Sequence, residues 1–217
     1  IHTHEIPTEF PADATVEAES AQGVPLGNRT DLREVPLITI DGEDARDFDD
    51  AVFAEPDGAG FRLIVAIADV AHYVKTDSAL DNAARTRGNS VYFPDRVVPM
   101  LPEALSNGWC SLRPNEERGC LFVEMRIDSA GRKTSHRFGR GLMRSAARMT
   151  YEQVEQDQDR FSHLYSAYRA LLAQRTRRAT LDPDLPERKR GLSEARPGRA
   201  AAPRPPLGRH RPTGRRL

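Results

Sequence analysis

The sequence predicts an α+β fold in which a mixed, mainly antiparallel sheet is combined with helices. Short apolar runs of strand length recur along the chain, and Asp128-Ser129-Ala130-Gly131 is a turn signal between two of them. Apolar residues also recur at helical spacing in two other segments. The predicted strands lie near residues 37–40, 51–54, 61–68, 121–127 and 134–140, and helices are predicted near residues 78–87 and over most of residues 151–179.

The most acidic segment of the chain lies between the first two predicted strands. Residues 41–50 contain five aspartates and one glutamate. Like charges this close raise one another's pKa and destabilise a fold unless cations neutralise them. Carboxylate oxygens are hard ligands that suit Mg²⁺ or Mn²⁺. The segment therefore predicts a metal site.

The spacing of the aspartates indicates how they share that site. The strand 37–40 delivers Asp41 at its carboxyl end, and Asp50 directly precedes the strand 51–54. In an extended segment, Asp47 and Asp49 point to the same side of the chain. We expect these four carboxylates to face one pocket.

The acidic segment has two other possible interpretations besides a metal site. Blocks of like charge are most often solvated surface. An EF-hand loop is excluded, because counting from Asp41 places Ala45 at position five and Arg46 at position six, where that loop needs an oxygen ligand and a glycine. A pair of metal ions that promotes phosphoryl transfer fits several carboxylates better.

The same residues resemble a known family. Thr39-Ile40-Asp41, followed by Asp47-Phe48-Asp49-Asp50-Ala51, resembles the signature of the RNB family of exoribonucleases. Residues 43–46 and the lead-in from His4 to Pro11 are more similar to the ribonuclease R branch than to the ribonuclease II branch. The resemblance runs from residue 1 to about residue 189, and its further blocks are residues 64–74, 90–94, 98–102 and 110–118.

The resemblance implies a processive hydrolase that shortens single-stranded RNA from the 3′ end and releases nucleoside 5′-monophosphates with Mg²⁺ (Mn²⁺ being an alternative). The family's four metal-site aspartates correspond to Asp41, Asp47, Asp49 and Asp50. The family's aromatic residue that stacks on the terminal base corresponds to Tyr92, and a second tyrosine near the RNA end corresponds to Tyr151.

Several of these residues also have ordinary structural interpretations. A tyrosine in a Val-Tyr-Phe-Pro segment is usually a core or strand residue, so only the resemblance singles out Tyr92. Arg46, Arg113 and Arg118 are weak candidates for phosphate contacts, because salt bridges with the abundant carboxylates are at least as common.

The C-terminal part of the chain differs from the rest in charge and composition. Residues 185–217 contain ten Lys or Arg and two Glu, together with six prolines and four glycines. The resemblance predicts residues 1–36 as a linker leading into the domain, residues 37–189 as a partial RNB catalytic domain, and residues 190–217 as an Arg-, Pro- and Ala-rich tail. That tail is expected to be disordered and basic, or alternatively to be the product of a frameshift.

Three functional hypotheses follow. The first is a 3′ to 5′ exoribonuclease. The second is a catalytically inactive RNA-binding fragment, because the family's late arginine motif and its cold-shock and S1 domains do not occur in this sequence. The third is a metal-stabilised or incompletely folded remnant.

Location in the cell is predicted from what the sequence contains. Two cysteines, Cys110 and Cys120, form neither a disulfide framework nor a zinc spacing, which favours a reducing cytoplasm. No apolar stretch approaches the about 18 residues of a membrane span. The first residue is Ile1, so we expect an internal piece of a longer protein.

Overall fold

A seven-stranded mixed sheet forms the centre of the computed structural model, which describes residues 6–93, 96–178, 188–190 and 200–203. The strand order is β1-β8-β7-β4-β3-β2-β9. The strands are β1 (Thr30–Leu32), β2 (Ile38–Asp41), β3 (Asp50–Asp57), β4 (Gly60–Ala68), β7 (Glu117–Ile127), β8 (Lys133–Arg144) and β9 (Ala147–Thr150). The helices are α1 (Ala12–Glu19), α2 (Val70–Tyr73), α3 (Ala79–Arg87), α4 (Tyr151–Gln156) and α5 (Ser162–Arg177), with a π-helical segment at Ala104–Trp109.

The α+β prediction and the mainly antiparallel sheet are confirmed. Strands β3, β4, β7 and β8 pair antiparallel in succession, and all five predicted strands occur, several of them longer than predicted. The predicted turn joins β7 to β8, where the Asp128 carboxylate accepts hydrogen bonds from the backbone of Ala130 and Arg132. Two edge strands pair in parallel, β1 with β8 and β9 with β2.

One face of the sheet carries the main hydrophobic core. Ile64, Ala66 and Phe122 on the sheet are buried in one cluster with residues of α1 and α3. The two helices are also joined by a polar contact, because the backbone N–H of Leu80 donates to the Glu17 carboxylate at 3.0 Å. This packing joins α1 and α3 to one face of the sheet.

Helix α5 covers part of the opposite face. Ala167 is fully buried against Leu63 and Ile127 in a second, smaller cluster. Beyond α5, large apolar side chains on this face remain exposed, namely Ile67, Leu121 and Phe138. None of the described helices combines the length and the apolar character needed to cross a membrane.

The helix predicted over residues 151–179 is divided into α4 and α5. Asp157 ends α4 with a non-helical backbone conformation. Its carboxylate accepts a hydrogen bond from the backbone N–H of Arg160 at 3.3 Å. Aspartate competes in this way with the helical hydrogen bonds of its own backbone, which explains why the apolar spacing on either side did not reveal the break.

Residues 1–36, predicted as a linker, contribute regular structure to the described part of the chain. Helix α1 buries Ala14 and Ala18, which are four residues apart on one helix face, and β1 buries Leu32. Small alanines allow a helix to approach its neighbours closely, but they give a weak hydrophobic signal in the sequence.

The described residues fall into two compact units. The first contains the seven-stranded sheet and the five α-helices. The second contains the described residues between Tyr92 and Val97 (92–93 and 96–97), together with the antiparallel strands β10 (Arg188–Arg190) and β11 (Ala200–Pro203). Two short strands, β5 (Val91–Tyr92) and β6 (Val97–Val98), pair with each other. Most of the predicted disordered tail, residues 191–199 and 204–217, lies outside the described residues.

Candidate active site

The acidic segment connects two neighbouring strands, as predicted. Asp41 is the last residue of β2, and Asp50 is the first residue of the antiparallel strand β3. The flanking residues Leu37 and Ala51 are completely buried. The core therefore anchors both ends of the connection, while Asp47 and Asp49 lie within it.

The carboxylates influence one another electrostatically. Burial, followed by the charge of Asp50, raises the pKa of Asp41 to about 6, and the Arg148 guanidinium opposes this rise. Burial and the charges of Asp47 and Asp50 raise the pKa of Asp49, and burial raises the pKa of Asp50. The structure therefore brings together the charges of the four predicted aspartates.

Arg148 holds the first half of the acidic segment. It lies on β9, opposite Thr39 of β2 in the parallel register. Its Nη2 donates to the carbonyl oxygens of Gly42 and Glu43, both at 2.7 Å. Its guanidinium also lies 5.6 Å from the centre of the Phe48 ring. One arginine thus fixes the chain directly after Asp41 and places a positive charge near the carboxylates.

Ser111 and Leu112 form hydrogen bonds with the backbone of the second half of the acidic segment. The Ser111 hydroxyl accepts a hydrogen bond from the Phe48 N–H at 3.1 Å and donates to the Arg46 carbonyl at 2.9 Å. The Leu112 N–H donates to the Phe48 carbonyl at 2.8 Å. These bonds fix the backbone on both sides of Asp47.

The site suits a hard divalent cation in its chemistry. Asp41 Oδ2 is buried and has no hydrogen-bond partner among the described residues, so one carboxylate oxygen is available to a ligand. Cation binding would also relieve the repulsion that raises the pKa of Asp41. Within the described ranges, no group of three or more His, Cys, Asp or Glu side chains is already arranged around a metal position.

The two predicted RNA-contacting tyrosines lie in different units. Tyr151 is the first residue of α4 and directly follows Thr150, which pairs with Asp41. Thr150 and Gln153 form a capping box that fixes the start of this helix. Tyr92 belongs to the second unit and is 66% exposed.

The three weak arginine candidates differ. Arg118 is buried and forms a salt bridge with Glu116. Arg113 donates to the Asn107 carbonyl and lies near Glu116. Both arginines thus make the structural contacts that were weighed against phosphate binding. Arg46 is exposed, and its carbonyl accepts from Ser111.

Two residues at the site were not predicted, Arg148 and Ser111. Ser111 belongs to the block 110–118 that carries part of the family resemblance, which was the available signal. Arg148 lies in a four-residue strand that the apolar pattern did not reveal.

Comparison with known proteins identifies the relatives of this chain. The RNB domain model matches residues 29–196. Ribonuclease R of Acidithiobacillus ferrooxidans is 50% identical over 193 residues, covering 82% of this chain and 44% of the relative. Ribonuclease R of Escherichia coli is 53% identical over 161 residues, covering 71% of this chain and 20% of the relative.

The fold is also similar to solved structures. Mycoplasma genitalium RNase R in complex with ribose-methylated single-stranded RNA superposes with a TM-score of 0.81 at 31% identity, covering 87% of this chain and 32% of the other. The chain spans less than half the length of these relatives. The family model matches most of the residues of this chain, and the relatives are about 50% identical to it over the aligned residues. The chain therefore belongs to the RNB domain family.

Proposed function

We propose that this chain carries the metal-binding part of an exoribonuclease that hydrolyses single-stranded RNA from the 3′ end and releases nucleoside 5′-monophosphates. In this proposal residues 37–189 form a partial catalytic domain, residues 1–36 lead into it, and residues 190–217 form the tail. The enzyme would act in the cytoplasm. The observation that carries the proposal is the group of four interacting aspartates between β2 and β3, held by Arg148 and Ser111.

The relatives support the substrate class. Solved structures of Mycoplasma genitalium RNase R contain single-stranded RNA in one case and double-stranded RNA in another. An exonuclease that acts on any sequence needs contacts that every nucleotide can make. Stacking of a base on a tyrosine ring contributes about 1–3 kcal/mol regardless of sequence, and we assign this role to Tyr92, with Tyr151 near the RNA end.

The aspartates would hold Mg²⁺, with Mn²⁺ as a substitute. Asp41 and Asp50 would bind the cation or its waters, and Asp47 and Asp49 would complete the group. When bound, divalent metal activates water for attack on phosphorus and stabilises the charge on the leaving oxygen. Arg148 orients the backbone directly after Asp41, so this part of the acidic segment stays in place while RNA binds.

The proposal is tested with a 5′-labelled single-stranded RNA incubated with the protein in Mg²⁺ or in EDTA. We expect stepwise shortening from the 3′ end in Mg²⁺ and none in EDTA. Asp49→Asn should abolish the shortening, whereas Asp44→Asn, the same substitution at an aspartate of the same segment outside the four proposed ligands, should retain it. Shortening that persists unchanged in Asp49→Asn would contradict the proposal.

A second candidate is an RNA-binding fragment without catalysis. It is favoured by the arrangement of the acidic group, because no three or more His, Cys, Asp or Glu side chains of the described residues are grouped around a metal position. This candidate predicts RNA binding that weakens steeply as salt rises, with no products at any Mg²⁺ concentration. A filter-binding assay run beside the cleavage assay distinguishes the two.

A further inference from the structure

Ser111 occupies an unusual position for a serine in this chain. Its side chain is completely buried, and it lies two residues after the π-helical segment Ala104–Trp109. Its hydroxyl uses its donor and an acceptor site on backbone groups of the acidic segment, which is more than sixty residues earlier in the sequence. A buried hydroxyl that satisfies two distant backbone groups has a specific role, because each group would be costly to leave unpaired.

The two groups that Ser111 contacts flank Asp47. The Arg46 carbonyl precedes this aspartate, and the Phe48 N–H follows it. The neighbouring Leu112 N–H adds a third bond, to the Phe48 carbonyl. The backbone around Asp47 is therefore held on both sides by a segment that carries no carboxylate ligand itself.

Ser111 is in turn held by Arg118. Arg118 Nε donates to the Ser111 carbonyl at 3.0 Å and to the Gly108 carbonyl at 3.3 Å. The guanidinium lies 5.0 Å from the Trp109 ring centre and pairs with Glu116. With only 6% of Arg118 exposed, this support is rigid and extends from the core to the acidic segment.

We propose that Ser111 is a positioning residue for the metal-binding aspartates, acting through the backbone of Arg46 and Phe48. This inference rests on the proposed metal site, but the ordering of the acidic segment by Ser111 does not. Groups that orient metal ligands contribute about 10–100-fold to metal affinity. Loss of the hydroxyl is expected to have an effect of this size without loss of any carboxylate.

The test compares Ser111→Ala with Ser145→Ala. Ser145 is equally buried, and its hydroxyl donates to the Ala147 carbonyl at 3.2 Å rather than to the acidic segment. Mn²⁺ affinity is measured by electron paramagnetic resonance, and amide hydrogen exchange is measured on metal-free protein. For Ser111→Ala we expect Mn²⁺ affinity to fall by about 10–100-fold and exchange at Phe48 and Leu112 to accelerate. Ser145→Ala should change neither.

Each outcome has a separate meaning. Wild-type affinity for Mn²⁺ and unchanged exchange in Ser111→Ala would overturn the inference while leaving the proposed function intact. If the wild-type protein does not bind Mn²⁺, the proposed function fails, and exchange at Phe48 alone decides whether Ser111 orders the segment. If Ser111→Ala loses its cooperative melting transition, Ser111→Cys keeps the volume with a weak hydrogen-bonding group. That variant must show the same two changes for the inference to stand.

Discussion

Asp41 and Asp50, at the end of one strand and the start of its antiparallel neighbour, repel each other strongly enough to raise the pKa of Asp41. After burial, the charge of Asp50 is the largest contribution to that rise, which reaches a pKa of about 6. Two adjacent strands of the core thus keep like charges close together, and the Arg148 guanidinium offsets only part of the resulting rise in pKa. The proposed cation would relieve the remaining repulsion.

The first prediction concerns pH and metal. Because the pKa of Asp41 is raised from 3.8 to about 6 in the folded protein, its contribution to stability is fully present below about pH 4 and is lost as pH rises through 6. We expect the melting temperature of wild type relative to Asp41→Asn to fall over this range in EDTA. Added Mg²⁺ at pH 7 should reverse the difference, because a cation stabilises the state that binds it. An identical pH profile for the two proteins would contradict the assignment.

The second prediction concerns Arg148. Its charge lowers the pKa of Asp41, and its Nη2 bonds two carbonyl groups. Arg148→Met should therefore raise the pKa of Asp41 above 6, whereas Arg148→Lys should keep it closer to 6 but hold the segment less well. Carboxyl ¹³C titration by NMR measures both variants. Equal shifts in the two variants would show that the charge of Arg148 is not the cause.

The central strands could be predicted from the sequence, whereas the edge strands could not. Strands β3, β4 and β7 contain apolar runs that are long enough to be recognised as strands in the sequence. Strands β1 and β9 have only three and four residues, and each is held at the sheet edge by parallel hydrogen bonds to its neighbour, β8 for β1 and β2 for β9. A local pattern contains no information about such a partner.

The candidate site is likewise only partly predictable, because a local sequence pattern does not reveal distant partners. The aspartates were predicted because they are close together in the sequence. Arg148 bonds a carbonyl 106 residues away, and Ser111 bonds one 65 residues away. Both contact backbone atoms, which are present in every residue, so nothing in the acidic segment indicates which distant side chain will bind it.

The third prediction concerns an ion-pair network on the sheet. The Glu124 carboxylate, 13% exposed, accepts hydrogen bonds from Arg62 at 2.6 Å and from Arg137 at 2.7 Å. Glu124→Gln should lower the free energy of unfolding at pH 7 by about 1–2 kcal/mol, as measured by urea denaturation. Glu117→Gln, which breaks a more exposed pair with Arg33, should cost about 0.5 kcal/mol or less.

The pH dependence of this third effect has the opposite sign to that of Asp41. Hydrogen bonds from Arg62 lower the pKa of Glu124 below 4.5. Its contribution is therefore present above about pH 4.5 and is lost as pH falls through the lowered pKa. The difference between wild type and Glu124→Gln should shrink in acid. A difference that stays constant down to pH 2 would indicate a packing effect instead.

The fourth prediction concerns the two thiols. Cys110 and Cys120 are buried, and burial raises the pKa of each to about 12. Since the thiolate is the reactive form, neither should react with iodoacetamide at pH 8 in native protein within minutes, and both should react at once in urea. Mass spectrometry of the labelled protein counts the modified thiols. Rapid native labelling of either cysteine would contradict its burial.

The fifth prediction concerns Gly131, in the turn between β7 and β8. Its φ is +76°, and a Cβ at this position would lie 2.0 Å from the carbonyl oxygen of Ala170 in α5. Gly58 has a similar φ of +59°, but a Cβ there would meet nothing within 4 Å. Alanine substitutions at the two glycines therefore distinguish the cost of backbone strain, which both share, from the cost of a steric clash, which occurs only at Gly131.

Gly58→Ala should reduce the free energy of unfolding by about 1–2 kcal/mol, the cost of a left-handed conformation for a residue with a side chain. Gly131→Ala must also displace α5 from the sheet, so it should cost about 4 kcal/mol or more, a loss typical of substitutions with a specific structural cause. Urea denaturation of both variants measures the difference. If the two losses were equal, the turn would not touch α5 in solution.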